Sequence, residues 1–144
     1  MPRGPKEGAI LYHRLCEFYW NFSRRCYRGY VKFTNETPAE QRTLARVQKA
    51  KEEFFAEFDF WEGYLAARQK DSNGCFLFGD CFSLMDIVAF PWFAFMVALG
   101  LKLEPRFKNV AKYYDFMKGR PSFQKFWPMY WDGSPNLEVL ADIY

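Results

Sequence analysis

At 144 residues the chain is long enough for one ordinary domain and too short for two. Half of it is hydrophobic and 22% is aromatic, which excludes a disordered chain. The net charge of +3 is uneven: residues 1–32 hold seven Lys or Arg against two acids, so a local basic patch is allowed but a dedicated nucleic-acid binder is not indicated.

The first predicted element is a long, aromatic-rich helix from about Glu7 to Phe33, preceded by a linker-like start over residues 1–6. The stretch TNETPAEQ then reads as a break and a restart. Thr37 is placed to cap, Pro38 suits a first helical position and Glu40 would complete a capping box. The second helix runs to about Arg68. Its apolar residues Leu44, Val47, Phe54, Phe58, Trp61 and Leu65 keep three- and four-residue spacing, and its other face is charged. KDSNG ends it, with Gly74 as the stop.

CFLFG, residues 75–79, is short and reads as an extended loop. A helix follows from Ser83 to near Gly100. Ser83 and Asp86 form the S-x-x-D pattern in which the serine oxygen accepts from the N–H of Asp86 and the carboxylate reaches back to the N–H of Ser83. Phe82 and Ile87 sit at the two positions of a hydrophobic staple. Asp86, alone at the mouth of a greasy helix, is thus explained as a nucleator of that helix rather than a catalyst. A further helix spans about Phe107 to Lys118, with Val110, Tyr113, Tyr114 and Met117 on one stripe and Gly119 as its stop. PSFQKFW suggests one more short helix. The tail, residues 128–144, is turn-rich, with a last turn at Leu137 to Ile143. The chain reads as all-α, a single domain of about five helices.

The longest apolar run, Ile87 to Leu99, is 13 residues with Pro91 inside it, against the roughly 20 that a membrane span needs. It is expected to be a helix buried in protein. Cys16, Cys26, Cys75 and Cys81 include no C-x-x-C pair and His13 is the single histidine, so no metal site is expected. The cysteines are expected to be reduced, mostly buried thiols of a cytoplasmic protein. MPRGPKEG is not a signal peptide, because no apolar run follows its charges.

The stretch FLFGDCFSLMDIVAFPWFAFM resembles the capping-box and staple motif of the C-terminal helical domain of cytosolic glutathione transferases. Met85 departs from it, since the family often has alanine there. PRFKNVAKYYDFMKGRPSFQKFWP is similar to the following helix and its R-P-S stretch. AILYHRL, FWEGYL and WPMYWDGSP look most like the rho-like class. The resemblance covers essentially the whole chain. It implies a helical domain that, when partnered with a thioredoxin-like domain, serves the conjugation of glutathione, as co-substrate, to electrophiles. A complete family member begins with that thioredoxin-like domain, and the chain is expected to be either a truncated product or a stand-alone helical domain.

The resemblance also implies where chemistry sits. The first helix and the C-terminal segment would wall a pocket for a hydrophobic small molecule. Tyr12, Cys16, Tyr19 and also Ser23 share one face of that helix, and Trp127, Tyr130 and Trp131 lie in the matching segment. The same aromatics serve equally well as core. Arg14 resembles a residue near the glutathione site, with His13 beside it, while Cys16 carries no sequence feature that would activate its thiol. No catalytic residue is assigned. The alternative is a stand-alone, non-catalytic carrier of a hydrophobic ligand, or a scaffold for dimerisation or assembly. A homodimer or higher oligomer is expected. Arg24, Arg28 and Lys32 form a basic stripe, better explained as a solvated face near a helix C-terminus than as a phosphate site, with the interleaved Tyr27 and Tyr30 keeping a nucleic-acid or anionic-ligand reading as the weaker alternative.

Overall fold

The structure is a computed structural model that describes residues 4–71, 75–128 and 139–144, with the backbone alone for 69–71. Its described residues are helical or irregular, with no strand among them. The first helix, α1, begins as Pro5–Phe22, widens over Ser23–Lys32 and closes with Phe33–Glu36, without a break between the three parts. The wide part is π-helical, a winding in which N–H groups reach five residues back. Gly29 shows why glycine is needed there: a Cβ on it would lie 2.8 Å from the Arg24 carbonyl oxygen.

A 3₁₀ turn at Ala39–Gln41 separates α1 from α2, Leu44–Asp71. The capping box expected at Thr37–Glu40 does not start α2. Thr37 is extended and closes α1, and Arg42 donates through Nε to the Thr37 carbonyl at 2.7 Å, which holds this short loop in place. Thr43 starts the helix, its carbonyl accepting from Arg46 and Val47 and its hydroxyl lying 3.4 Å from the Arg46 N–H. The shifted start leaves Leu44 as the first residue of α2 and 89% exposed, so it does not join the core stripe that its spacing suggested. The expected stop, Gly74, lies outside the described residues.

The remaining helices are α3, Leu84–Ala98, α4, Lys108–Lys118, and α5, Pro121–Phe126. That makes five among the described residues, as the sequence indicated. α3 ends in a Schellman motif. Gly100 has φ 98°, its N–H bonds Val97 O at 2.9 Å, and Leu101 N–H bonds Met96 O at 3.1 Å. Residues 75–79 contain no strand. At the carboxyl end Leu140 N–H bonds the Leu99 carbonyl at 2.8 Å and Leu140 and Ile143 are buried. Leu137, where a last turn was expected to begin, lies outside the described residues.

The chain divides into two compact units, residues 2–61 and 62–144. In the first, α1 and the first half of α2 share an aromatic core. Phe18, Phe22, Phe54, Phe58 and Trp61 are all fully buried. Their rings form a chain of contacts, with Phe18 4.8 Å from Phe22 and 5.0 Å from Trp61, and Phe58 5.3 Å from Phe22 and 5.0 Å from Phe54. In the second unit the core is built from α3 and α4. Phe93 meets Tyr113 edge-on at 5.9 Å, and Phe90 lies 5.9 Å from Tyr114 and 4.4 Å from Phe123 of α5. The expected stripe of Val110, Tyr113, Tyr114 and Met117 is buried as a set.

Candidate ligand-binding face

α1 is two-faced. Leu11, Phe18 and Phe22 turn into the core of the 2–61 unit, while Tyr12, Cys16 and Tyr19 lie outside it. Tyr12 is 67% exposed and Tyr19 52%, and their neighbour Trp20 is 66% exposed, so these aromatics are not core. The result is an aromatic strip bearing two phenol hydroxyls, a thiol and an indole. Such a strip can stack on a flat apolar molecule and offer it hydrogen bonds at its edges. Ser23, which helical spacing put on the same face, is instead buried at the first wide turn.

Arg14 lies half-buried beside this strip and pairs with Glu17 at 2.5 Å. Its guanidinium also sits 6.0 Å from the ring centroid of Phe60. His13 is exposed. The expectation of mostly buried cysteines is corrected: Cys26 is buried, Cys75 is intermediate, and Cys16 and Cys81 are exposed. Cys26 points its Sγ at the Phe54 carbonyl, 3.9 Å away. Burial pushes its thiol well above the ordinary range, with Glu57 adding to the effect, so it is held as a neutral thiol.

Glu57 is the acid of the 2–61 core and was not singled out by sequence reasoning. It is 2% exposed. Trp61 Nε1 donates to it at 2.8 Å and Arg25 Nη1 at 3.0 Å. Desolvation raises its pKa, and these two donors offset only part of that. The signal in the sequence was the pair Glu57 and Trp61 four residues apart on one helical face.

In the 62–144 unit, Trp127 packs with its ring centroid 6.2 Å from Phe90 and 6.5 Å from Tyr114. Lys118 Nζ lies 4.9 Å from the Trp127 centroid. Tyr130 and Trp131 lie outside the described residues. Trp127 therefore belongs to one unit, and Tyr12, Cys16 and Tyr19 to the other.

Ser83 and Asp86 form the reciprocal capping box. Asp86 Oδ2 accepts from the Ser83 N–H and hydroxyl, each at 2.8 Å. Its Oδ1 accepts from Leu77 N–H at 2.9 Å and faces the Tyr113 hydroxyl at 3.4 Å. The carboxylate thus starts α3 and ties the 75–79 loop to it. Phe82 meets Phe76 and Phe123 edge-on and lies 4.5 Å under the Arg120 guanidinium, and its expected staple partner Ile87 is 49% exposed. A second cap was not anticipated. Glu62 accepts from Asn109 N–H at 3.0 Å and Val110 N–H at 2.9 Å, so a side chain 47 residues away caps α4. No group of three or more His, Cys, Asp or Glu is placed to hold a metal among the described residues, and none of their helices is long and apolar enough to cross a membrane.

A family model described as glutathione S-transferase, C-terminal domain, matches residues 44–116. The chain belongs to this family. The match runs from the first residue of α2 into α4 and so leaves the exposed strip of α1 outside it. That strip lies within the alignment to glutathione S-transferase A of Pleuronectes platessa, which is 33% identical over 99% of the chain and 61% of the relative. The fold is similar to that of a glutathione S-transferase from the Antarctic clam Laternula elliptica, with a TM-score of 0.85 and 26% identity over 100% of the chain and 62% of the clam protein. The chain thus spans about three-fifths of the length of these relatives.

Proposed function

We propose that this glutathione transferase helical domain supplies the wall of a pocket for a hydrophobic electrophile, with Tyr12, Cys16 and Tyr19 as that wall. The observation that carries the reading is the exposure of Tyr12 and Tyr19 beside a complete aromatic core. Apolar surface that the core does not need is surface that a ligand or a partner covers. In this reading the strip orients the electrophile, and the glutathione thiol is activated by a group of a thioredoxin-like domain, as complete family members carry. Arg14, which lies beside the strip, stands in this reading toward the glutathione. The protein works in the cytoplasm as a homodimer or higher oligomer. The resemblance of AILYHRL, FWEGYL and WPMYWDGSP to the rho-like class supports assigning the chain to that class within the family.

The test is glutathione conjugation to 1-chloro-2,4-dinitrobenzene by the chain joined to a thioredoxin-like domain of the family. Turnover above a no-protein control is expected. The double variant Tyr12→Ala, Tyr19→Ala should lower kcat/KM for the electrophile by about tenfold, the cost of one good apolar contact. Equal kcat/KM for the variant would refute the assignment of the strip. The exposed aromatics also favour a second reading, a non-catalytic carrier or assembly scaffold, in which the joined protein turns over no substrate yet still binds apolar ligands.

A further inference from the structure

The basic stripe of α1 acquires a partner in the fold. Arg28, Gly29 and Phe33 of α1 and Arg46, Lys49, Ala50 and Glu53 of α2 line an open cavity of about 370 Å³ within the 2–61 unit. That volume lies at the lower end of small-molecule pockets, which run from about 300 to 1,000 Å³. Three of its seven lining residues are cations and one is an acid, so its lining carries a net +2.

The cations are available. Neither Arg28, Arg46 nor Lys49 takes part in an ion pair among the described residues; the pairs formed nearby are Lys32 with Glu36 and Arg25 with Glu57. Arg46 is steadied by an aromatic ring, its guanidinium 5.0 Å from the centroid of Phe33. Stacking of this kind restricts the side chain before any ligand arrives, so less freedom is lost on binding. Gly29 and Ala50 present almost no side chain, which leaves the space between the charged groups open. Two planar guanidiniums, one ammonium and a few small or apolar lining residues are the parts of an oxyanion site. Arginine matches a phosphoryl group two oxygens at a time, and lysine adds a point charge.

We propose that this cavity binds a small soluble phosphomonoester. At neutral pH such a group carries about two negative charges, equal and opposite to the net charge of the lining. Phe33 and Ala50 receive the organic substituent, and Glu53, the one acid of the lining, limits how much negative charge the cavity accepts. The site lies at the junction of α1 and α2 and shares no residue with the aromatic strip.

Isothermal titration of the purified chain with phenyl phosphate tests this, with phenol and inorganic phosphate as separate titrants. Saturable one-site binding of phenyl phosphate is expected, weaker binding of inorganic phosphate and none of phenol. Arg28→Gln, Arg46→Gln and Lys49→Gln should each weaken phenyl phosphate binding by about three- to tenfold, the range of one charge-assisted hydrogen bond at a solvated site. Glu53→Gln should strengthen it by about threefold, the size of one screened like-charge contact. A gain in affinity cannot come from a damaged fold. The proposal is overturned if wild type shows no saturable binding, if all three cation variants bind as wild type does, or if Glu53→Gln weakens binding. It is also overturned if phosphatidic acid vesicles capture the chain while phenyl phosphate does not bind, since the ligand would then be a membrane headgroup.

Discussion

At the scale of single residues, Glu57 shows how a buried acid leaves a pH signature. Desolvation raises its pKa above the ordinary 4.5. The folded state therefore holds a proton that the unfolded chain has released, over a window that opens near pH 4.5 and closes above the raised value. Within that window the folded state binds more protons, so stability falls as pH rises. Below the window both states are protonated and the term vanishes. Urea unfolding of wild type and Glu57→Gln from pH 4 to 8 reads this directly. The stability of wild type relative to the variant should decline through the window and then level off. A flat difference would mean that Arg25 and Trp61 fully offset the burial. Cys26 adds no slope in this range, because its ordinary pKa of 9.0 is raised further.

At the scale of elements, glycine is a sensitive reporter of helix geometry. In an ordinary exposed helix, Gly→Ala stabilises by up to about 1 kcal/mol. Gly8 of α1 and Gly63 of α2 have open space where a Cβ would go, so Gly8→Ala and Gly63→Ala should raise the unfolding free energy. Gly29→Ala should lower it by about 1–2 kcal/mol, because its Cβ would crowd the Arg24 backbone oxygen at 2.8 Å. Opposite signs within one helix would establish the wide winding of Ser23–Lys32, and equal gains at Gly8 and Gly29 would contradict it.

The same scale shows what the sequence made legible. Ser83 and Asp86 could be read because a capping box is local and its two members are three residues apart. The buried faces of α2 and α4 could be read because apolar spacing reports them, and the burial of α3 because its run is apolar nearly throughout. The start of α2 was misplaced because Thr37 and Thr43 both suit a cap, and the choice depends on Arg42 closing the loop onto the Thr37 carbonyl. The cap on α4 could not be read, because Glu62 reaches it from 47 residues away. Nor does any side-chain pattern announce a change of winding at Ser23. The four cysteines were expected to be mostly buried, as free cysteines usually are, yet Cys16 and Cys81 lie at the surface.

At the scale of the whole molecule, the aromatic richness of the chain has two uses. Phe18, Phe22, Phe54, Phe58 and Trp61 fill a core, while Tyr12, Tyr19 and Trp20 stay outside it. Composition alone treats these rings alike. The position of each on its helix separates them, and that is why the candidate strip was legible from three- and four-residue spacing but its exposure was not. Charge divides in a similar way, with Arg25 held by a buried acid and Arg28 facing an open cavity. The central claim is that the outer face of α1 receives apolar ligands. Fluorescence titration of the purified chain with the neutral dye N-phenyl-1-naphthylamine, in wild type and in Tyr12→Ala, Tyr19→Ala, tests it most directly. Saturable dye enhancement in wild type that falls about tenfold in affinity in the double variant is the expected result; equal affinities, or no saturable enhancement in wild type, would contradict the account.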